Sequence, residues 1–196
     1  MNRIVFGLGR FNPPTRGHEY LVSEVKRIAS ELHAIPMIFI VDGEKSGRDF
    51  EKNPLSGQQR REIIETLYGV KVDVAGSAYE VLEVIDVMGL NPVGLVCGSD
   101  RVKQYEAMIR YSGFSCEVFG LDRTRGKASN VSGTSARIAA RTGTFEEFKS
   151  HMSLLMPDSL IEQVRTCIIE PGRSLGDIQY YKPLADIDAS NAGVRR

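Results

Sequence analysis

Along the chain, short apolar runs rich in β-branched residues alternate with longer stretches whose apolar positions recur every three or four residues. That alternation predicts strands between amphipathic helices, the pattern of a parallel sheet covered on both faces. The runs Ile4 to Leu8, Ile35 to Val41, Val70 to Val74, Val93 to Cys97 and Cys116 to Phe119 read as five strands. From Glu19 to Leu32, the residues Tyr20, Val22, Val25, Ile28, Ala29 and Leu32 fall on one helical face. Ser56-Gly-Gln-Gln59 and Ser77-Ala-Tyr-Glu80 each predict a capped helix start. Further helices are expected over Val102 to Tyr111, from Ser132 onward, near Phe145 to Met152 and over Asp158 to Ile169. The fold class is α/β, a doubly wound sheet of about five parallel strands. No internal repeat is visible.

Composition narrows this picture. With 196 residues, 42% of them hydrophobic, the chain suits one well-buried domain, read here as residues 1–170. From Pro171 the pattern gives way to Gly, Asp, Ser and Asn, so 171–196 is expected to be an arm that is mobile or docks on a partner subunit. Twenty-five basic residues balance twenty-five acidic ones, which argues against a nonspecific nucleic-acid binder and makes any phosphate recognition local. Cys97, Cys116 and Cys167 are odd in number and widely spaced, which suits reduced thiols in a cytoplasmic protein better than a disulfide framework or a zinc site. No apolar run approaches the length of a membrane span. No protein metal site and no membrane or nucleic-acid partner is therefore expected.

The densest chemistry lies in Gly9-Arg-Phe-Asn-Pro-Pro-Thr-Arg-Gly-His18, between the first strand and the first helix. In an open α/β sheet, ligands bind beyond the carboxyl ends of the strands, where helix N-termini offer N–H groups and a positive dipole end. Gly17 permits close backbone approach, and His18 can donate to a phosphate oxygen from the first helical turn. Asn12, Pro13 and Pro14 stiffen the loop, and Arg10 adds a permanent charge. Taken alone, the same residues could form a tight turn with a capping or surface histidine.

Thr15-Arg-Gly-His18 resembles the (H/T)xGH signature of the nucleotidyltransferase superfamily, whose fold is a Rossmann-like sheet. A second segment, Val131-Ser-Gly-Thr-Ser-Ala-Arg137, is similar to the superfamily's ISSTxIR element and, in its SGTxxR form, to archaeal-type nicotinamide mononucleotide adenylyltransferases. Asn53-Pro-Leu-Ser-Gly-Gln-Gln-Arg-Arg61 resembles the NPxxxxER-type segment of the same enzymes, and Gly98-Ser-Asp100 their GxD segment, which lies against bound nucleotide. Thr15 stands where many members carry His, although pantetheine-phosphate adenylyltransferases also have Thr there.

The resemblance implies that His18 serves the α-phosphate region, while Arg137 and the N–H groups around Thr134 hold the β- and γ-phosphates, with Thr15 and Arg10 completing the shell. Gly9, Phe11, Asn12, Gly17, Gly98, Asp100, Ser132 and Gly133 would line the nucleotide. Lys45, Arg60, Arg125 and Lys127 are candidates for a phosphate clamp. Solvated loop charge is the default reading of Lys45, Arg48, Arg123, Arg125 and Lys127. A capped surface helix explains Arg60 and Arg61 equally well, and Asp100 reads equally as a helix cap.

The implied reaction moves a nucleotidyl group from a nucleoside triphosphate to a phosphorylated acceptor and releases pyrophosphate. Mg²⁺ would be bound through the phosphates, and no general base is needed because the acceptor arrives ionised. ATP with nicotinamide mononucleotide, giving NAD, is the preferred substrate pair. Cytidylyl transfer, adenylyl transfer to another phospho-acceptor, and a nucleotide-binding or assembly module without turnover stay open. A dehydrogenase is disfavoured because Gly7-Leu-Gly9 lacks the third glycine of the dinucleotide fingerprint. Self-association follows only by analogy with multimeric relatives.

Overall fold

The structure is a computed structural model and describes residues 2–43, 49–122, 131–173 and 175–176. Five parallel strands form one sheet: β1 (Asn2–Gly9), β2 (Ile35–Val41), β3 (Lys71–Ala75), β4 (Leu90–Gly98) and β5 (Glu117–Leu121), in the order β3-β2-β1-β4-β5. Between and after them run α1 (Arg16–Glu31), α2 (Gly57–Tyr68), α3 (Ala78–Val87), α4 (Val102–Ser112), α5 (Gly133–Thr142), α6 (Phe145–His151) and α7 (Asp158–Ile169). The chain winds outward from β1 to β3, returns beside β1 as β4 and winds outward again. The fold is the doubly wound, Rossmann-like α/β sheet that the alternation of elements predicts.

Strand periodicity sorts the core into two layers. Val5, Ile38, Ile40, Val72 and Val96 point to the face covered by α1, α2, α5, α6 and α7. Ile4, Phe6, Met37, Phe39 and Leu95 point to the face covered by α3 and α4, where Phe6 and Phe39 meet edge to face at 5.7 Å.

β4 begins three residues before the predicted Val93. Pro92 is accommodated because the register with β1 shifts there, Ile4 pairing with Pro92 but Val5 with Gly94. α1 starts at Arg16, three residues before the predicted Glu19, because Thr15 caps it. The residues just past α7 turn back onto it: the Gly176 amide donates to Gln163 and the Cys167 thiol to the Arg173 carbonyl. The rest of the expected arm, 177–196, lies outside the described residues, as do Lys45, Arg48, Arg123, Arg125 and Lys127.

Candidate functional site

The winding direction reverses between β1 and β4, and the crevice at the carboxyl ends of those two strands is the place where such sheets bind ligands. Gly7 pairs with Val96, and the same register carried two residues further sets Gly9 opposite Gly98. Two of the glycines singled out in the sequence thus stand side by side at the switch point.

The loop leaving β1 is strained and heavily braced. Phe11 adopts a left-handed backbone, φ 52°, rare for a residue with a side chain, and the Asn12–Pro13 peptide bond is cis. Left-handed backbone costs a non-glycine residue about 1–2 kcal/mol and persists only where the surroundings over-determine it. Here they do. Arg60 of α2 donates from Nη1 to the Arg10 carbonyl at 2.6 Å, and Arg137 of α5 donates from Nη1 to the Asn12 carbonyl at 2.6 Å. The Asn12 side chain clasps the backbone of Leu55, its Nδ2 donating to the carbonyl at 2.8 Å and its Oδ1 accepting from the amide at 3.2 Å.

Two helices begin at this loop. Gly17 on the first turn of α1 lies against Val131, whose carbonyl oxygen would stand 3.3 Å from an added Cβ; Gly133 at the start of α5 lies against Asn12, whose carbonyl would stand only 3.0 Å away. The N-termini of α1 and α5 therefore converge on one spot, and their dipoles favour the same kind of ligand, an anion. Beneath them the start of α1 is anchored to the chain after α6: the Arg16 Nε donates to the Met152 carbonyl, and a Glu19 carboxylate oxygen accepts from Ser153 and the Leu154 amide.

His18 takes the position a glutamate or glutamine holds in the usual capping box. Its Nδ1 accepts from the Thr15 amide at 3.0 Å and lies 2.9 Å from the Thr15 hydroxyl. An Nδ1 that accepts carries no proton, so in the neutral ring the proton sits on Nε2, which is then a donor. Phe11 supports the ring from beneath, with centroids 4.6 Å apart. Thr15 is buried beneath His18, to which both its amide and its hydroxyl are turned. Its hydroxyl and amide orient the imidazole, a task that needs no imidazole at position 15.

Charge at the loop is positive. Burial pulls the Arg137 guanidinium below its usual range, Arg10 and Arg141 push the same way, and Asp49 partly offsets them. Arg60 is lowered chiefly by burial, against which Asp42 acts through an ion pair at 2.6 Å, while Arg10 again opposes. Arg10 itself is exposed. An anion seated near Arg10 would relieve the repulsion felt by both buried arginines.

Several residues read as ligand contacts are buried and hydrogen-bonded within the protein. Arg60 is 0% exposed and spends its donors on the Arg10 and Ser56 carbonyls and on Asp42, so it braces the loop and is not an open phosphate clamp. Phe11 and Asn12 are buried, the first under His18 and the second against Leu55. Arg137 is 9% exposed and divides its donors between Asn12 and the Thr134 hydroxyl. Ser132 caps α5 by accepting from the Ser135 amide. Asp100 caps no helix: α4 is preceded by a 3-10 turn, Ser99–Arg101, and the exposed Asp100 side chain pairs with Arg101 at 3.4 Å. The sequence reading passed over Asp42 and Leu55; their partners, Arg60 and Asn12, were in view, but the distances of 18 and 43 residues were not.

No protein-family model matches the chain, and no curated protein matches it in sequence. The fold does have solved counterparts. A structure of a macrolide-efflux protein from Streptococcus pneumoniae superposes with a TM-score of 0.55 at 17% identity over 76% of this chain, and the match spans 55% of that longer protein. A candidate nicotinate-nucleotide adenylyltransferase from Vibrio parahaemolyticus matches with a TM-score of 0.53 at 16% identity, covering 87% of this chain and 97% of its own. Plasmodium falciparum nicotinic acid mononucleotide adenylyltransferase matches at 0.52 and 16% identity, with 83% and 96% covered. At such identities the likeness is one of fold.

Proposed function

We propose that the chain is a cytoplasmic nucleotidyltransferase that moves an adenylyl group from ATP to a phosphorylated acceptor, nicotinamide mononucleotide being preferred, and releases pyrophosphate. The observation that carries this reading is the convergence of two helix N-termini on the loop after β1, which also carries Arg10 and ends at the cap of His18. The two motifs whose order resembles the nucleotidyltransferase superfamily are the segments that open those two helices. The solved structures from Vibrio and Plasmodium named above, both called adenylyltransferases, agree with it in fold over almost their whole length.

In this reading an oxygen of the acceptor's phosphate attacks the α-phosphorus, the bond from that phosphorus to the bridging oxygen breaks, and the electrons leave on pyrophosphate. The protein positions two anions and offsets the charge that develops. His18, its proton held on Nε2 by the cap at Nδ1, donates to the α-phosphate. The first-turn amides of α5 and the charge of Arg10, with Arg137 behind them, face the β- and γ-phosphates.

The same residues bear on Mg²⁺. Among the described residues no group of three His, Cys, Asp or Glu could hold a metal ion, and Asp42, close to the loop, is occupied by Arg60. This donor set suits an ion carried in on phosphate oxygens, where it would add Lewis-acid stabilisation of the developing charge.

Pyrophosphate release with Mg²⁺ tests the proposal, using ATP or CTP against nicotinamide mononucleotide or nicotinic acid mononucleotide. Release with ATP that falls about 100-fold or more in His18→Ala is expected. Release with CTP alone would reassign the donor, and nucleotide binding without release would reduce the chain to a binding module.

A further inference from the structure

A hollow of about 560 Å³ opens between the chain before α2 and the turn after α7. That turn builds part of the wall through Gly172, Arg173 and Leu175, and Phe50, Asn53 and Leu55 build another part. The hollow also touches what holds the loop after β1, since Leu55 is clasped by Asn12 and Asp42 is the partner of Arg60.

Two side chains in the wall lack a partner. Phe50 keeps 52% of its surface exposed, a large apolar ring without a cover. The Asn53 Oδ1 is buried and has no hydrogen-bond partner, which is costly for an acceptor shut off from water. Turning the amide round would not cure this, because its Nδ2 faces the Asp49 carbonyl at 3.4 Å and a flip would set oxygen against oxygen. The charges of the wall, by contrast, are matched: Asp42 pairs with Arg60 at 2.6 Å and Arg173 with Glu170 at 2.7 Å. The hollow therefore calls for an uncharged, largely apolar cover that brings one hydrogen-bond donor.

The chain carries such a segment next to this wall. Leu175 packs on the core, and the Gly176 amide is fixed to Gln163 of α7. Asp177-Ile-Gln-Tyr-Tyr-Lys182 follows directly. Ile178 to Tyr181 are uncharged, and Tyr180 and Tyr181 are the aromatic residues that the sequence holds after Gly176. Ile178 and Tyr181 lie three and six residues beyond Leu175, about 10 and 20 Å of extended chain, so the hollow is within their reach. The same segment of a second copy would lack this tether and would dock at a higher entropic cost.

We infer that Ile178 to Tyr181 dock in this hollow of their own chain, a tyrosine ring covering Phe50 and a tyrosine hydroxyl or the Gln179 amide donating to Asn53 Oδ1. Docked there, the segment buttresses Leu55 and Asp42, and through them Asn12 and Arg60, the residues that brace the loop after β1.

The chain contains no tryptophan, so Phe50→Trp sets a single fluorescent reporter in the wall. In the 196-residue protein its emission is expected to be blue-shifted and poorly quenched by acrylamide. Adding Ile178→Ser, Tyr180→Ser and Tyr181→Ser should expose the indole and raise the quenching constant about threefold. Hydrogen exchange of the unsubstituted protein is independent of how the larger ring seats, and there the amides of 178–181 should exchange about tenfold more slowly than those of 189–194. An exposed indole, amides without this protection, or an indole that stays buried in the serine variant would overturn the inference. Quenching that depends on protein concentration would hand the hollow to a second copy. An indole exposed until nicotinamide or nicotinic acid mononucleotide is added would make the hollow a ligand site, and either result overturns docking within the chain. None of these readouts depends on turnover, so failure of the proposed reaction would leave them unchanged.

Discussion

The two faces of the sheet are built on different principles. Under α3 and α4 the packing is apolar throughout, with Val81, Leu82, Ile85, Met108 and Ile109 meeting Ile4, Phe6, Phe39 and Leu95. Every buried polar or charged side chain among the described residues, namely Asn12, Thr15, Arg60, Arg137 and Ser153, belongs to the loop after β1 or to the α1, α2 and α5–α7 side. Burying an arginine costs free energy unless each donor finds a partner, so an apolar core would have been the simpler solution there too. The contrast teaches that one face holds the domain together while the other also holds a strained loop in place.

Three substitutions would break or sharpen that contrast. Arg60→Met should have the largest effect, because it keeps volume while leaving Asp42 without its ion pair and the Arg10 and Ser56 carbonyls without their donor. A loss of about 3 kcal/mol in urea unfolding is expected together with a fall in turnover, since the loop loses its brace. Unchanged turnover would mean that the loop is held without α2. Ile85→Ala, on the opposite face at 0% exposure, should also cost about 3 kcal/mol as a cavity, yet leave turnover per folded molecule unchanged. A matching loss of activity would dissolve the distinction between the faces. Gly133→Ala should have the smallest effect on folding, since alanine favours a helix by about 0.5–1 kcal/mol while its Cβ crowds the Asn12 carbonyl. About a tenfold loss of turnover with little change in unfolding is expected, the inverse of Ile85→Ala.

Much of the fold was legible because its signals are local. Strand runs, capping serines at positions 56, 77 and 132, and helical spacing need only a window of a few residues. The strand edges slipped where pairing decided them, as at Pro92, whose place in β4 depends on a register shift against β1. The candidate site was legible as a set of residues and less so as a set of roles. Burial separates a ligand contact from a brace, and burial depends on neighbours distant in sequence.

Arg60 shows what signal was there to use. It lies three, four and seven residues before Ile63, Ile64 and Leu67, all buried, so it shares their face of α2 and could not have pointed to solvent. Arg137 likewise lies three residues before Ala140 on the inward face of α5. Asn12 gave no such sign, because its clasp on Leu55 joins two loops and follows no period.

The capped histidine also bears on binding entropy. A side chain packed at a tilt against Phe11, with its Nδ1 committed to the Thr15 amide, surrendered its rotamer freedom when the domain folded. A ligand that meets it has no conformational search of that ring to suppress, so binding should gain from His18 without a matching entropic penalty. Such a histidine behaves as part of the main chain, and substitutions that merely loosen it, at Thr15 or Phe11, should weaken binding although they touch no ligand atom.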